Sequence, residues 1–514
     1  MRYIEGRDRD QIMFSSMDMH IGQDNIVRLI DLIVEKFYQD NPELITESDK
    51  GNKSTGRKAY NPKIMMGLFV YGYYYGVSSS RKLERATHYN LEVMWLTLGL
   101  QPDFWTICEF RRENTKVIGK LIKRFRQFLV DQEFADGGKI VFDGSKMKAY
   151  ANKELLSKPT ILKKLEDVDE SIKSYLEQME ALDTAEVELE TAVRNLEIFN
   201  KDKEELLKDM AILQKEKESL EKDKQILKKH VGKLEKKHKK LKKAEELLDK
   251  TSKKYIAPND PEAILVKSRD GKIGGYNVQA GVDTKGHFIL NADVTTQATD
   301  QNLLESNVES VTEQTGIQPE EITADKGYGV ANDILEVEEK GIECYVPLPT
   351  TQREKDAAQG IEFIYNEQDN NYTCSNGKTL KLHQRNVKLK DGSLCDRYQC
   401  YECEGCPLRA KCTKSKTGRT LKRKHNEKEI QAYKKSLDTK LAKEKISKRK
   451  EVVEHPFGTI KILMGKFHFL LTGQEKVQTE INLYSMAYNL IRLKNTEPVC
   501  LLMNKIEKYN WNIG

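Results

Sequence analysis

The sequence predicts an α/β protein with a mixed-sheet core, an N-terminal helical domain, a coiled-coil hairpin insertion and a cysteine-rich insertion. Three observations carry that expectation. Short apolar runs stop at acids, in KIVFDGSK at Asp143 and in ITADKGYG at Asp325, and such runs bounded by turn residues are strands. Leucines recur every seventh residue from Leu206 to Leu248, which is the period of a coiled coil. Six of the nine cysteines fall between Cys374 and Cys412, a density suited to metal ligation more than to disulfides in a reducing compartment.

Residues 1–135 are expected to form a helical DNA-binding domain. Pro62 marks a helix start, with Ile64, Met65, Leu68 and Phe69 as a buried stripe. Gly76 breaks the pattern before Ser78–Ser80, where a serine caps a basic second helix carrying Arg81, Lys82 and Arg85. Helix, turn and basic helix suggest a helix-turn-helix unit; a plain helical bundle fits the same pattern. A third helix from Pro102 carries Arg111, Arg112, Lys116, Lys120, Lys123, Arg124 and Arg126, charges able to follow a phosphate backbone.

The first core segment, 136–159, holds the strand that stops at Asp143-Gly144, so that Asp143 is expected at a strand tip. The insertion follows at 160–250, with its register interrupted at Asn200–Lys203. One straight helix of that length would span about 135 Å, yet the chain must return to the sheet it left. A folded-back arm with limbs of about 60–70 Å meets that need.

Residues 251–344 resume the core, with strands at Tyr276–Val282 and His287–Ala292 and the second acid, Asp325, ahead of a Gly327/Gly329 turn and beside Lys326. Asp283, Asp293 and Asp300 are weaker rival acids, Asp293 the closest in pattern. The cysteine-rich insertion, 345–446, contains Cys400-x2-Cys403-x2-Cys406-x5-Cys412, with Cys374 and Cys395 upstream. Four thiolates at this spacing make a tetrahedral structural zinc site. Cys400, Cys403, Cys406 and Cys412 are the simplest set, although six local cysteines leave the assignment open. Residues 409–424 hold eight Lys or Arg and no acid; Lys422, Arg423 and Lys424 are candidate phosphate contacts.

The last core segment, 447–514, brings the third acid. In KRKEVVEHPFGTIK, Val452, Val453, Phe457 and Ile460 recur at helical spacing around Glu454. Two strands and a helix form a rigid platform for three carboxylates, which can hold two divalent metals for phosphoryl transfer.

The segments DGSK (143–146), ADKGYG (324–329), VEHPFGTIK (453–461) and NLYSMAYNLIRL (482–493) resemble the DDE transposases of bacterial insertion sequences, in the branch with a ribonuclease H-like catalytic domain. The resemblance runs from about residue 60 to the C-terminus apart from the helical insert. It implies that Asp143, Asp325 and Glu454 are the catalytic, metal-binding triad for Mg²⁺ or Mn²⁺. It also implies that Lys461, seven residues after Glu454, keeps the family's spacing, and it favours Cys403, Cys406 and Cys412 within CPLRAKCT as zinc ligands. The chain departs from the pattern at Lys450, where arginine is common, and at Ser447, where tyrosine is frequent; Arg449 is adjacent.

The implied activity is cleavage of insertion-element ends and their joining to target DNA, with double-stranded DNA as partner and a homodimer as the working unit. A charged fraction of 32% and a formal net charge of +6 suit a polyanionic partner. No apolar stretch approaches the roughly 18 residues of a membrane span, so a cytoplasmic, DNA-associated protein is expected. Two other classes share these features: a ribonuclease H-like nuclease without strand transfer, and a catalytically silent DNA-binding scaffold.

Overall fold

The computed structural model describes residues 14–48, 59–151, 153–198, 203–251, 253–268, 271–389, 393–465 and 468–513. Helices α1 (Ile26–Asp40), α2 (Glu43–Ser48), α3 (Pro62–Tyr74), α4 (Ser80–Tyr89), α5 (Leu91–Leu96), α6 (Phe104–Glu113) and α7 (Thr115–Asp131) precede the first strand. Pro62 opens α3, and the Asn61 side chain accepts the Lys63 N–H, satisfying one of the helix's orphan donors. The expected single stripe is too narrow: every residue from Met65 to Tyr73 is buried. The reason is that α3 packs against both α1 and the C-terminal helix α16 (Gln474–Lys494). Gly76 turns the chain at φ +68°, and α4 then packs so tightly that a Cβ on Gly72 would lie 2.6 Å from Leu83.

Strand β1 (Lys139–Lys148) is the axis of the main sheet. It pairs antiparallel with β3 (Gly271–Asp283) over its length and parallel with β5 (Glu321–Thr323) at its start. Strands β2 (Ile264–Ser268) and β4 (Ile289–Thr295) pair with β3, and β6 (Glu343–Tyr345) runs parallel beyond β5. Helices α10 (Leu304–Thr315) and α11 (Ala331–Glu339) link the parallel strands, as parallel pairing requires. This mixed sheet, flanked by the N-terminal helices, is consistent with a ribonuclease H-like core.

The NLYSMAYNLIRL segment lies in α16. Asn489 donates to Ile289 O and accepts from Ile289 N, while Tyr488 donates to His287 O and Arg492 to Gly286 O. These residues satisfy backbone groups at the edge of β4, where no further strand pairs among the described residues.

Between β1 and β2 the chain forms α8 (Lys158–Ile198) and α9 (Lys203–Lys250). They run antiparallel: Lys158 pairs with Asp249, Asp169 with His238, Asp183 with Lys224 and Glu190 with Lys217. At the base, Ile161, Leu165 and Val168 bury against Leu241, Ala244 and Leu248. Backbone bonds between Leu156 and Ile256 join the two ends, so the insertion leaves and returns at one place. Its interruption at residues 200–203 lies largely outside the described residues.

After β6 come α12 (Gln352–Ala357) and a second sheet, in which β7 (Phe363–Asn366), β8 (Asn371–Cys374), β9 (Thr379–Lys388), β10 (Leu394–Gln399) and β11 (Thr420–Lys424) pair in sequence order. The short helix α13 (Arg409–Cys412) lies between β10 and β11. Tyr372, Leu380, Tyr398, Cys400 and Leu421 form this sheet's own small core. Helix α14 (Glu427–Leu437) leads back to α15 (Lys440–Met464), which spans the expected boundary at 446/447, and α17 (Val499–Lys508) ends the fold. Among the described residues, no helix is long and apolar enough to cross a membrane.

Candidate active site

Asp143 lies inside β1 and not at its tip, because β1 continues to Lys148 on its ladder with β3, where Asp143 faces Ala280. What ends before it is the parallel ladder: Val141 faces Thr323, and Asp143 and Asp325 each stand two residues further on. The two carboxylates are close enough that Asp325 raises the Asp143 pKa. Burial is the larger cause and lifts Asp143 to about 6, against the pull of Arg449, whose Nη1 lies 3.3 Å from Asp143 Oδ1. Asp325 caps the turn Lys326–Tyr328, accepting the Gly327 N–H at 2.6 Å.

Asp300 is the acid that the structure adds to this place. Its Oδ1 accepts from Lys146 Nζ at 2.9 Å and from the side-chain amides of Asn277 and Gln279 at 2.8 Å each. Gln279 Oε1 in turn accepts from Tyr328 OH and Asn307 Nδ2. The network therefore ties DGSK, β3 and the Gly327/Gly329 turn together. Gly144 exists for this approach: a Cβ there would lie 2.5 Å from Asp300 Oδ1 and 2.7 Å from Gln279 Nε2. Asp293, the expected nearer rival, instead accepts from Asn291.

Glu454 sits on α15 as expected and is exposed. Among the described residues it has no hydrogen-bond or ion-pair partner, so neither kind of contact joins it to the aspartates. Lys450 is exposed, Lys461 half-buried and Lys326 exposed with Nζ 3.5 Å from Thr350 Oγ1. Arg449 is engaged by Asp143 and is not a free phosphate contact.

The basic residues of the helical domain divide in two. Arg81, Lys82 and Arg85 are exposed along α4, Arg81 stacking on Phe104 at 5.0 Å. Arg112 is exposed and paired with Glu109. Arg111, expected to meet DNA, is a core residue at 3% exposure. It donates to Tyr73 OH and Ser78 O and faces Glu480. Arg126 is buried likewise, bonded to Gln314, Asn482 and Ser485. Both arginines bind the helical domain to its surroundings, because a buried charge is tolerated only when hydrogen-bonded or paired.

On β11, alternation of the strand separates the three cations. Lys422 and Lys424 line a cleft of about 710 Å³ shared with Gln301 and Asn302, which follow Asp300 in the chain, and with Gly329 of the turn that Asp325 caps. Arg423 points away and stacks over Tyr365 at 3.9 Å. Cys400 is buried in the second sheet's core, while Cys403, Cys406 and Cys412 are half-buried. Among the described residues, no three or more His, Cys, Asp or Glu side chains form a group that could hold a metal ion as they stand.

Residues 373–494 match the family model described as a transposase DDE domain, and residues 15–113 match one described as a transposase domain. The first match includes Glu454 and the cysteines from Cys374 to Cys412; Asp143 and Asp325 precede it. No curated protein and no solved structure matches the chain. Two segments, one before and one after the strands of the main sheet in the chain, are thus similar to transposase domains.

Proposed function

We propose that this chain is a DDE-type insertion-sequence transposase that cleaves element ends and joins them to target DNA. The observation that carries the reading is the placement of Asp143 and Asp325 side by side where the β1–β5 ladder ends, between two transposase-related domains. Hard carboxylate oxygens suit Mg²⁺ or Mn²⁺. Asp143 and Asp325 are carboxylates near enough for one to raise the pKa of the other, which is the donor chemistry such an ion takes, while Asp300 is paired with Lys146. Bound divalent metal would activate the attacking oxygen and stabilise the leaving oxygen.

The chain's own residues hold that chemistry in place. Asp143 and Asp325 would hold the metal, with Glu454 on α15 as the third acid of the triad. Arg449 balances the Asp143 charge before metal enters, and Asp300 fixes Lys146 beside it. Lys422 and Lys424 contact the strand in the cleft that they line, and Lys326, Lys450 and Lys461 are further phosphate contacts. Arg81, Lys82 and Arg85 meet duplex phosphates. The helix pair α8–α9 is a coiled-coil arm for assembly of a homodimer on paired ends.

The test is incubation of purified protein and Mg²⁺ with a duplex bearing the terminal DNA that flanks its own gene, plus supercoiled target plasmid. Joined products support the transposase; cleavage without joining supports the nuclease; DNA binding without either supports the scaffold.

A further inference from the structure

The second sheet brings five thiols to one small cavity. Cys374, at the end of β8, meets Cys400, Cys403, Cys406 and Cys412 around a space of about 20 Å³. That is room for roughly one or two water-sized spheres, the scale of a single ion. Cys395, the sixth cysteine of this region, is buried elsewhere on β10. The structure therefore selects among the cysteines where spacing could not.

The five differ in depth. Cys400 is 2% exposed and belongs to the cluster of Tyr372, Leu380, Tyr398 and Leu421, against which Cys374 and Cys403 pack from outside, so it is the deepest of the five. Cys374, Cys403, Cys406 and Cys412 are half-buried at the cavity wall. Tight turns present two of the segments: Gly377, at φ +69°, donates to Cys374 O, and Gly405, at φ +70°, separates Cys403 from Cys406.

Two of the sulfurs, those of Cys403 and Cys406, accept from nearby N–H groups. The Arg419 N–H points at Cys403 Sγ at 3.4 Å and Asn376 Nδ2 at Cys406 Sγ at 3.5 Å. Donors of this kind orient and stabilise metal-bound ligands from outside the first shell. Cys344, by contrast, is buried with its Sγ directed at the Ile334 and Ile342 carbonyls, as a protonated thiol would be.

We propose that Cys374, Cys403, Cys406 and Cys412 bind one structural Zn²⁺ ion, tying the β8–β9 hairpin to the segment that leads into β11. Four thiolates with no open position match structural zinc and exclude magnesium or calcium, which take oxygen ligands. The thiols do not form a closed group as they stand, so the ion draws the side chains inward across the cavity and releases their protons. The consequence reaches the cleft, because β11 carries Lys422 and Lys424 into it. This assignment does not depend on the transposase reading.

The experiment measures zinc by mass spectrometry in full-length protein purified without chelator. Near one equivalent is expected in the wild type, in Cys400→Ala and in Cys395→Ala, with zinc falling to background in Cys374→Ser and Cys403→Ser. Wild-type protein reconstituted with Co²⁺ should show the intense thiolate charge-transfer and tetrahedral bands of a four-sulfur site, a readout that needs no variant to fold. Folded wild-type protein without zinc, or retention of zinc by Cys374→Ser together with its loss from Cys400→Ala, overturns the assignment.

Discussion

Arg449 reaches from α15 to Asp143 on β1, with its Nη1 3.3 Å from the carboxylate oxygen. The pair fastens the helix that carries Glu454 to the strand that carries Asp143, and it is the strongest single force opposing the rise in the Asp143 pKa.

That rise makes a prediction about stability. Burial holds Asp143 at about 6, above its ordinary 3.8, so the folded state binds a proton more tightly than the unfolded one. Wild-type stability from this group therefore falls as pH rises from about 3.8 to 6 and stays lowered above it. Asp143→Asn removes the charge, and metal-free variant protein should be more stable than wild type at pH 7.5 by about 1–3 kcal/mol, with the advantage vanishing near pH 4. Urea titrations of both proteins in EDTA at the two pH values check this; a variant less stable at pH 7.5 contradicts it.

Arg111 and the α4 cations should separate cleanly. Arg111→Ala leaves Glu480 and Tyr73 without their buried partner and should cost about 3–5 kcal/mol in unfolding free energy. Replacing Arg81, Lys82 and Arg85 together by alanine should change stability little. It should weaken DNA binding and flatten its dependence on salt by up to about three phosphate contacts. Fluorescence anisotropy across a salt series, beside thermal melts, distinguishes the two groups.

Gly72 tests the packing of α3 on α4. A methyl group there would meet Leu83 Cδ2 at 2.6 Å and Val77 O at 2.7 Å, and relief requires a shift of backbone. Gly72→Ala should destabilise the protein by about 1–3 kcal/mol despite alanine's better helix propensity. A stabilised variant in a thermal melt would show that α4 is free to move.

The arm should serve assembly and not chemistry. Its buried contacts lie at the base, among Ile161, Leu165, Val168, Leu241, Ala244 and Leu248, whereas Leu176, Val187, Ile212 and Ile226 further out are at least half exposed. Replacing residues 169–240 by a short turn, which keeps the base contacts, should preserve nicking of DNA ends while reducing paired-end complexes in gel-shift assays at equal folded concentration. Normal pairing would leave the arm as a spacer.

The strands around Asp143 and Asp325 were legible because each apolar run is local. The extent of β1 was not, since Asp143-Gly144 reads as a turn signal while Gly144 is there to let Asp300 and Gln279 approach. Asp300 stood among the weaker rivals, behind Asp293, because its donors, Lys146, Asn277 and Gln279, come from separate strands. Arg111 was misassigned for a related reason: a cation in a basic helix looks solvent-facing until Tyr73, Ser78 and Glu480 are seen around it. Cys374 lies outside the Cys-x2-Cys spacing, and only the pairing of β8 with β9 brings it to the other thiols.

The central claim is that Asp143, Asp325 and Glu454 act together in metal-dependent DNA cleavage. The most direct test is single-turnover nicking of an element-end duplex in Mg²⁺ by wild type, Asp143→Asn, Asp325→Asn and Glu454→Gln, each at saturating protein with DNA binding measured in parallel. The account predicts near-normal binding and loss of cleavage by about 10³-fold or more in all three, since each variant keeps its shape and loses a charged ligand. Cleavage at the wild-type rate by any one of them would contradict it and remove that residue from the triad.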